Sequence, residues 1–397
     1  MSESDGSSGE KTLENPVVDD DAELSSTELK SLLEILDPRN NWLSILLLAI
    51  PAAAYFSLNH NTGLAFIFSM IAIMPLAGNM GKATEEIALR TSESIGGLLN
   101  ATFGNAAEMI IAVMALYAAY QAGIGTETAD TMMQVVQASL IGSILGNLLL
   151  VLGLSLFYGG IKYSVQFFNE EASQISGSLL LLAMVGLVLP ATFGMTTSSN
   201  SPSGIVDISR WTAFILLGVY GMHLLFQLKT HTNLYATEGH HFEEPELSVQ
   251  NAAILLVMAT ILVALMAEIL VHSIEDAASQ YGIPPLFIGL ILLPMFGNAA
   301  EHFTAVTVAG KDKMDLSIGI AIGSSIQIAL LVAPLMILIA WGFGLPLTLE
   351  FGIFETVVTL MAVLVANFIV QDGKSNWLEG AMLLATYAII AISFLYY

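Results

Sequence analysis

The chain contains no cysteine, which excludes disulfides, thiolate catalysis and cysteine-based zinc sites. It is also poor in charge. Only 11% of its residues are Asp, Glu, Lys or Arg, where soluble domains carry about 25%. Positive charge is scarcest: 11 Lys and Arg stand against 34 Asp and Glu, for a formal net charge of −23. Nothing basic is clustered, so nucleic acid is excluded as a partner. What is abundant is apolar. Hydrophobic residues make up 55% of the 397, and the mean hydropathy is +0.75. Long apolar runs separated by turn-rich loops such as NHNTG, TTSSNSPSG and GFGLP define an all-α polytopic membrane protein.

Much of the acid lies in residues 1–40, which read as an acidic cytoplasmic tail. That start lacks a basic segment followed by an apolar one, so it is not a signal peptide. Ser25 and Glu28 have capping-box spacing and open a short amphipathic helix to about Leu36. The tail either solvates or regulates.

Eleven transmembrane helices are predicted, over 42–58, 64–88, 95–120, 132–159, 174–194, 209–228, 248–272, 285–309, 315–342, 350–370 and 376–395. With the N-terminus in the cytoplasm, Lys11, Lys30, Arg39, Lys82, Arg90, Lys162, Lys229, Lys311, Lys313 and Lys374 all fall inside. Arg210 alone falls outside, as the positive-inside rule expects. The C-terminus then ends outside.

FGNAAE occurs at 103–108 and again at 296–301. Glu86 in EEIALRTS matches Glu268 in AEILVHSI, and Gly142-Ser143 matches Gly323-Ser324, in the same order. These matches indicate an internal duplication. It gives one helix over 41–60, a first five-helix repeat over 63–230, a linker over 231–247 and a second repeat over 248–397. Five is odd, so the second repeat runs through the membrane inverted. Glu108 lies about 13 residues into its span and Glu301 about 16, which at about 1.5 Å per residue puts both near the bilayer middle. Two inverted halves meeting at a polar midplane site is a secondary-transporter plan.

A carboxylate at that depth is costly unless it is paired, wetted or protonated. Two of them repel when ionised, so the pair invites protons or a cation. Calcium, which wants six to eight oxygens, suits them. Asn105 and Asn298 share a helix face with the glutamates. Further oxygens are available from Gln137, Ser139, Ser143 and Asn147, and from Ser324, Ser325 and Gln327. Serines in such helices often bond back to their own turn instead. Pro294 is expected to break its helix just before the motif and free carbonyls as ligands. His302 either relays a proton or is an ordinary core imidazole. Glu86, Glu85 and Glu268, toward helix ends, are portal carboxylates or plain interfacial charges.

LLNATFGNAAEMI (98–110), QASLIGSILGNLLLVLG (137–153), PMFGNAAEHF (294–303) and GSSIQIALLVAP (323–334) together resemble the calcium/proton antiporters of the cation exchanger family, within the calcium/cation antiporter superfamily. The resemblance implies that Glu108 and Glu301 bind Ca2+ and H+ in turn, with Asn105 and Asn298 beside them. His302 matches the family pattern as well. Sodium/calcium exchangers of the superfamily typically carry an acid among the polar ligands of the ninth helix. Here Gln327 stands in that region, which favours proton coupling. The family's acidic segment between halves corresponds to HTNLYATEGHHFEEPELS (231–248), a sensor or a solvated linker.

The expected function is therefore exchange of cytosolic Ca2+ for protons by alternating access, with a sodium-coupled exchanger or a cation channel as alternatives. Two single midplane glutamates, rather than a ring of acids, speak against a channel. No enzyme is expected: the spans lack a Ser/His or paired-Asp constellation, and Glu301-His302 lacks HExxH spacing. No cofactor is expected beside the transported ions. The lipid bilayer is a partner, and a homo-oligomer is compatible with the sequence. The expected location is the cell membrane, with a vacuolar membrane as the alternative.

Overall fold

The computed structural model describes residues 42–91, 93–196, 202–235 and 246–397. The acidic tail with its short helix, most of the TTSSNSPSG loop and most of the 231–247 linker lie outside the described residues.

Helices dominate. They are α1 (Leu43–Leu58), α2 (Thr62–Ala88), α3 (Glu93–Phe103), α4 (Ala106–Ala122), α5 (Glu127–Lys162), α6 (Glu170–Thr196) and α7 (Gly204–Thr230). Then come α8 (Val249–Tyr281), α9 (Pro285–Gly297), α10 (Ala299–Ala309), α11 (Met314–Gly342), α12 (Ile353–Val370) and α13 (Trp377–Leu395). Among the described residues eight are long and apolar enough to cross a membrane, or nine if the bent pair α9–α10 is one span. α1 and α4 are shorter apolar helices.

Sequence chemistry sets many of the ends. Asn61 accepts the Leu64 N–H at 3.2 Å to open α2, and Ser248 accepts the Asn251 N–H at 3.2 Å to open α8. Gly282, in the left-handed region at φ 64°, closes α8. Asn376 and Glu379 form a capping box at the start of α13.

α5 runs through the middle: 83% of its most apolar stretch is buried, against 17% for α7 at the rim. α2 and α8 lie antiparallel along one another, with Gly63 against Gln280 and Tyr281 at one end. At the opposite end of the pair, Glu86 and Lys82 bond to residues 246–247. A two-residue antiparallel pair, β1 (Gln166–Phe167) with β2 (Lys374–Ser375), ties the end of α5 to the start of α13. At the same end, Lys162 Nζ donates to the Gly310 carbonyl at 3.1 Å, and Gln166 donates to the Ala309 carbonyl and to Asp312. Lys162, Lys311, Lys313 and Lys374 are thereby gathered at one end of the bundle.

Two spans differ from expectation. Where one helix is predicted over 95–120, the chain forms α3 and α4, interrupted at Gly104-Asn105. Where Pro294 is expected to break the second motif's helix, the break comes four residues later. The axis turns by 58° between α9 and α10, at Asn298. Pro294 is accommodated because a π turn, Ile288–Leu292, precedes it, so that it stands near the start of the following α turn. Having no N–H, Pro294 cannot pair with the Leu290 carbonyl. That carbonyl instead lies against Gly142 of α5, where it would collide with any Cβ. α5 and α11 carry buried π turns too, at Gly146–Val151 and Ile328–Val332.

Gly142 and Gly323 match in sequence, but apart from its own helix's backbone and chain neighbours no described atom lies within 4 Å of where a Cβ on Gly323 would stand. Gly142→Val should therefore lower the melting midpoint of the detergent-solubilised protein, by the equivalent of about 1–3 kcal/mol. Gly323→Ala should leave it near wild type. Equal midpoints for both variants and wild type would contradict the close packing of α5 on α9.

Candidate functional site

The two FGNAAE copies form the same local structure. Asn105 has φ −101°, ψ 21° and Asn298 has φ −98°, ψ 6°. Each begins a helix, α4 or α10. An asparagine in that position usually spends its side-chain oxygen on its own helix. Neither does so here, which leaves both amides for other work.

Three residues on, Glu108 and Glu301 fall in the first turns of α4 and α10. The first N–H groups of a helix lack partners within it and concentrate about half a unit of positive charge there. The interruption at each asparagine thus places a positive helix end beside each carboxylate. The break makes a buried charge there less costly without any basic residue. Among the described residues the salt bridges are Lys82–Glu246 and Arg210–Asp207, and neither involves these glutamates.

Both carboxylate oxygens of Glu108 and Oε2 of Glu301 are buried with no hydrogen-bond partner among the described residues. The same is true of Asn298 Nδ2 and His302 Nε2. The two carboxylates are close enough for their charges to interact. Among the described residues no three His, Cys, Asp or Glu side chains gather to hold a metal, so the acid at the centre is this pair.

A chain of hydrogen bonds crosses the site. Asn147 Nδ2 on α5 donates to Ser324 Oγ on α11 at 3.1 Å. Ser324 Oγ donates to Asn105 Oδ1 at 3.0 Å, and Asn105 Nδ2 donates to Gln327 Oε1. The Ser324 hydroxyl also bonds the Glu301 carboxyl group. A hydroxyl has one proton and two lone pairs. Its single proton can go to Asn105 Oδ1 or to the Glu301 carboxylate, so the serine links the two.

The other predicted residues are placed as follows. Ser143 is buried on α5, one turn from Asn147. Ser139 donates to the Val136 carbonyl of its own turn at 2.9 Å, and Ser325 likewise to Ala321. Gln137 gives its amide N–H groups to the carbonyls of Thr348 and Glu350, in the loop before α12. His302 is 9% exposed. Glu86 is buried and accepts the N–H groups of Glu246 at 3.2 Å and Leu247 at 3.0 Å, while Arg90 donates to the Leu247 carbonyl. Its carboxylate clasps the segment that leads into α8 to the end of α2. Glu85 and Glu268 are exposed.

Asn147 is one of several polar residues on its helix in sequence, and only the structure singles it out. A cavity at the far end of α4 and α8, containing His272 and Glu275, escapes the sequence reading. Its one signal is the three-residue spacing of those two side chains on a helix.

A family model described as "Sodium/calcium exchanger protein" matches residues 62–229 and 251–396. The chain is 42% identical over 349 residues to the Ca(2+)/H(+) antiporter of Aphanothece halophytica, covering 84% of this chain and 90% of that one. It is 39% identical over 366 residues to the vacuolar calcium ion transporter of Schizosaccharomyces pombe, covering 90% and 85%. The structure of native YfkE superposes with a TM-score of 0.76 at 38% identity, covering 89% of this chain and all of that one. The chain belongs to the sodium/calcium exchanger protein family.

Proposed function

We propose that this protein exchanges Ca2+ for H+ across its membrane, with Glu108 and Glu301 holding the two ions in turn. The observation that carries this reading is the pair of carboxylates at the starts of α4 and α10, three of whose four oxygens are buried with no hydrogen-bond partner among the described residues. Neither can stay bare in a low dielectric. Protons satisfy them one way and a divalent cation the other. Calcium would draw on both carboxylates and on the amide oxygen of Asn298, with Asn105, Asn147, Ser324 and Gln327 holding the cage in place. The Ser324 hydroxyl suits either loading, since it can donate to a Glu301 carboxylate or accept from the protonated acid. Arrival of calcium would displace the proton from Glu301. Because both cargoes neutralise the same pair, exchange is electroneutral or nearly so.

Two inverted five-span halves behind an extra first helix, α1, are the architecture that suits this cycle. In that scheme α3–α4 and α9–α10 are each one broken span, which makes eleven in all. The lysine-rich end of the bundle faces the cytoplasm, and the C-terminus lies outside. The names of the relatives, antiporters of calcium and protons and a vacuolar calcium transporter, support the same cargoes. Ser143 remains a candidate ligand on α5. Gln137 and Ser139 fit better as supports of the scaffold, and His302 as a relay for the proton on Glu301.

Calcium uptake into proteoliposomes tests this directly. A pH gradient without sodium should drive it, and a strict sodium requirement would overturn proton coupling. Glu108→Gln and Glu301→Gln should each abolish exchange while preserving the fold; wild-type uptake in either would remove that residue from the site. Asn147→Ala should raise the KM for calcium about fivefold, the worth of one neutral hydrogen bond of about 1 kcal/mol. A KM within error of wild type would limit Asn147 to packing.

A further inference from the structure

A second polar site lies away from the glutamate pair. Near the far ends of α4 and α8, a cavity of about 300 Å³ opens between α4, the first turn of α5 and α8. Most membrane-facing surfaces of this protein are apolar, but this cavity is lined by Gln121, Thr128, His272 and Glu275 among smaller apolar residues.

Each polar group is held with a donor atom to spare. His272 Nδ1 lies 2.9 Å from the Glu268 carbonyl. A carbonyl only accepts, so the ring proton sits on Nδ1 and Nε2 carries the lone pair. Glu275 is one helical turn further along α8, and Thr128 Oγ1 reaches its Oε2 across the cavity at 3.4 Å. Gln121 Nε2 donates to Tyr117 Oη at 2.6 Å, which leaves Gln121 Oε1 without that bond. His272 is exposed and Glu275 partly so.

This donor set differs in kind from the one at the glutamate pair. It has one imidazole nitrogen, one carboxylate and one amide oxygen. Calcium prefers a cage of six or more oxygens, whereas zinc takes nitrogen and oxygen together in four-coordination. Histidine and carboxylate three residues apart on one helix can reach a common ion, and the opposed helix supplies the third ligand. Water completes the set.

We propose that this cavity binds a borderline divalent cation, Zn2+ being the best fit, through His272 Nε2, the Glu275 carboxylate and Gln121 Oε1. The ion bridges α8 to α4. It resides there as a ligand and is not carried. On the reading given under Proposed function, α4 and α8 belong to different halves, so the bridge also slows exchange by holding them together.

The binding half of this inference is tested without transport. The full chain carrying Glu108→Gln and Glu301→Gln, which disable the glutamate pair, is purified in detergent and titrated with ZnCl2 by calorimetry. One ion per chain should bind. Adding His272→Ala, or in a separate protein Glu275→Gln, should weaken binding roughly tenfold or more, the loss of about 1.4 kcal/mol or more from one ligand. Both positions reach solvent, and an unchanged melting midpoint without zinc verifies the fold of each variant. Zinc affinity indifferent to both substitutions overturns the site.

The transport half uses proteoliposomes. Zn2+ should inhibit calcium uptake in the wild type, and His272→Ala should resist it while keeping its uptake without zinc. Equal inhibition of the two overturns the bridging role. Zinc binding with no proton-driven uptake in the wild type would instead count against calcium–proton exchange and leave the cavity site standing.

Discussion

A bare carboxylate cannot rest in the middle of a membrane protein, and this molecule is organised around two of them. The composition removes the simplest remedy, since the spans contain almost no basic residues to pair with an acid. What the fold supplies is helix ends. By starting helices at Asn105 and Asn298 it brings the positive starts of α4 and α10 to Glu108 and Glu301. That arrangement moderates the cost of charge without cancelling it. A fixed lysine would cancel it and leave nothing for an ion to do.

The rest of the interior serves that geometry. A broken span exposes backbone groups, which are tolerated only where protein encloses them. α5 provides the enclosure, and Gly142 lets it approach the Leu290 carbonyl, for which Pro294 has no N–H. π turns in α5, α9 and α11 lie close in sequence to Asn147, Pro294 and Gln327. Such turns commonly mark functional sites within helices. The amides then settle their own accounts among Asn147, Ser324, Asn105 and Gln327. The carboxylates are the groups left wanting.

Hydropathy made the membrane class legible in advance and the repeated FGNAAE singled out the two buried acids, because these depend on composition and spacing alone. The breaks at Asn105 and Asn298 were less visible. Both motifs keep an unbroken apolar pattern, and the proline drew attention to the wrong residue. Which polar side chain faces the centre was not legible either. Ser139 bonds to its own turn and Ser324 bonds across helices, yet both are serines in small-residue stretches. The choice rests on neighbours far away in the chain. Glu86 shows the same limit: a carboxylate near a helix end reads as a portal, and in the fold it receives two backbone N–H groups from the segment that leads into α8.

That clasp bears on how the molecule can move. α2 and α8 are joined near residues 82–90 by Glu86, Lys82 and Arg90, and at the opposite end Gly63 abuts Gln280 and Tyr281. Sliding one helix past the other would strand both N–H groups and uncouple the far contact. The pair therefore behaves as a single stiff strut. One face of α8, with Ile254, Val257, Met258, Ile261 and Leu265, is exposed and apolar, and so rests against acyl chains. Any rearrangement that carries the strut must push through lipid, and its friction belongs to the bilayer as much as to the protein.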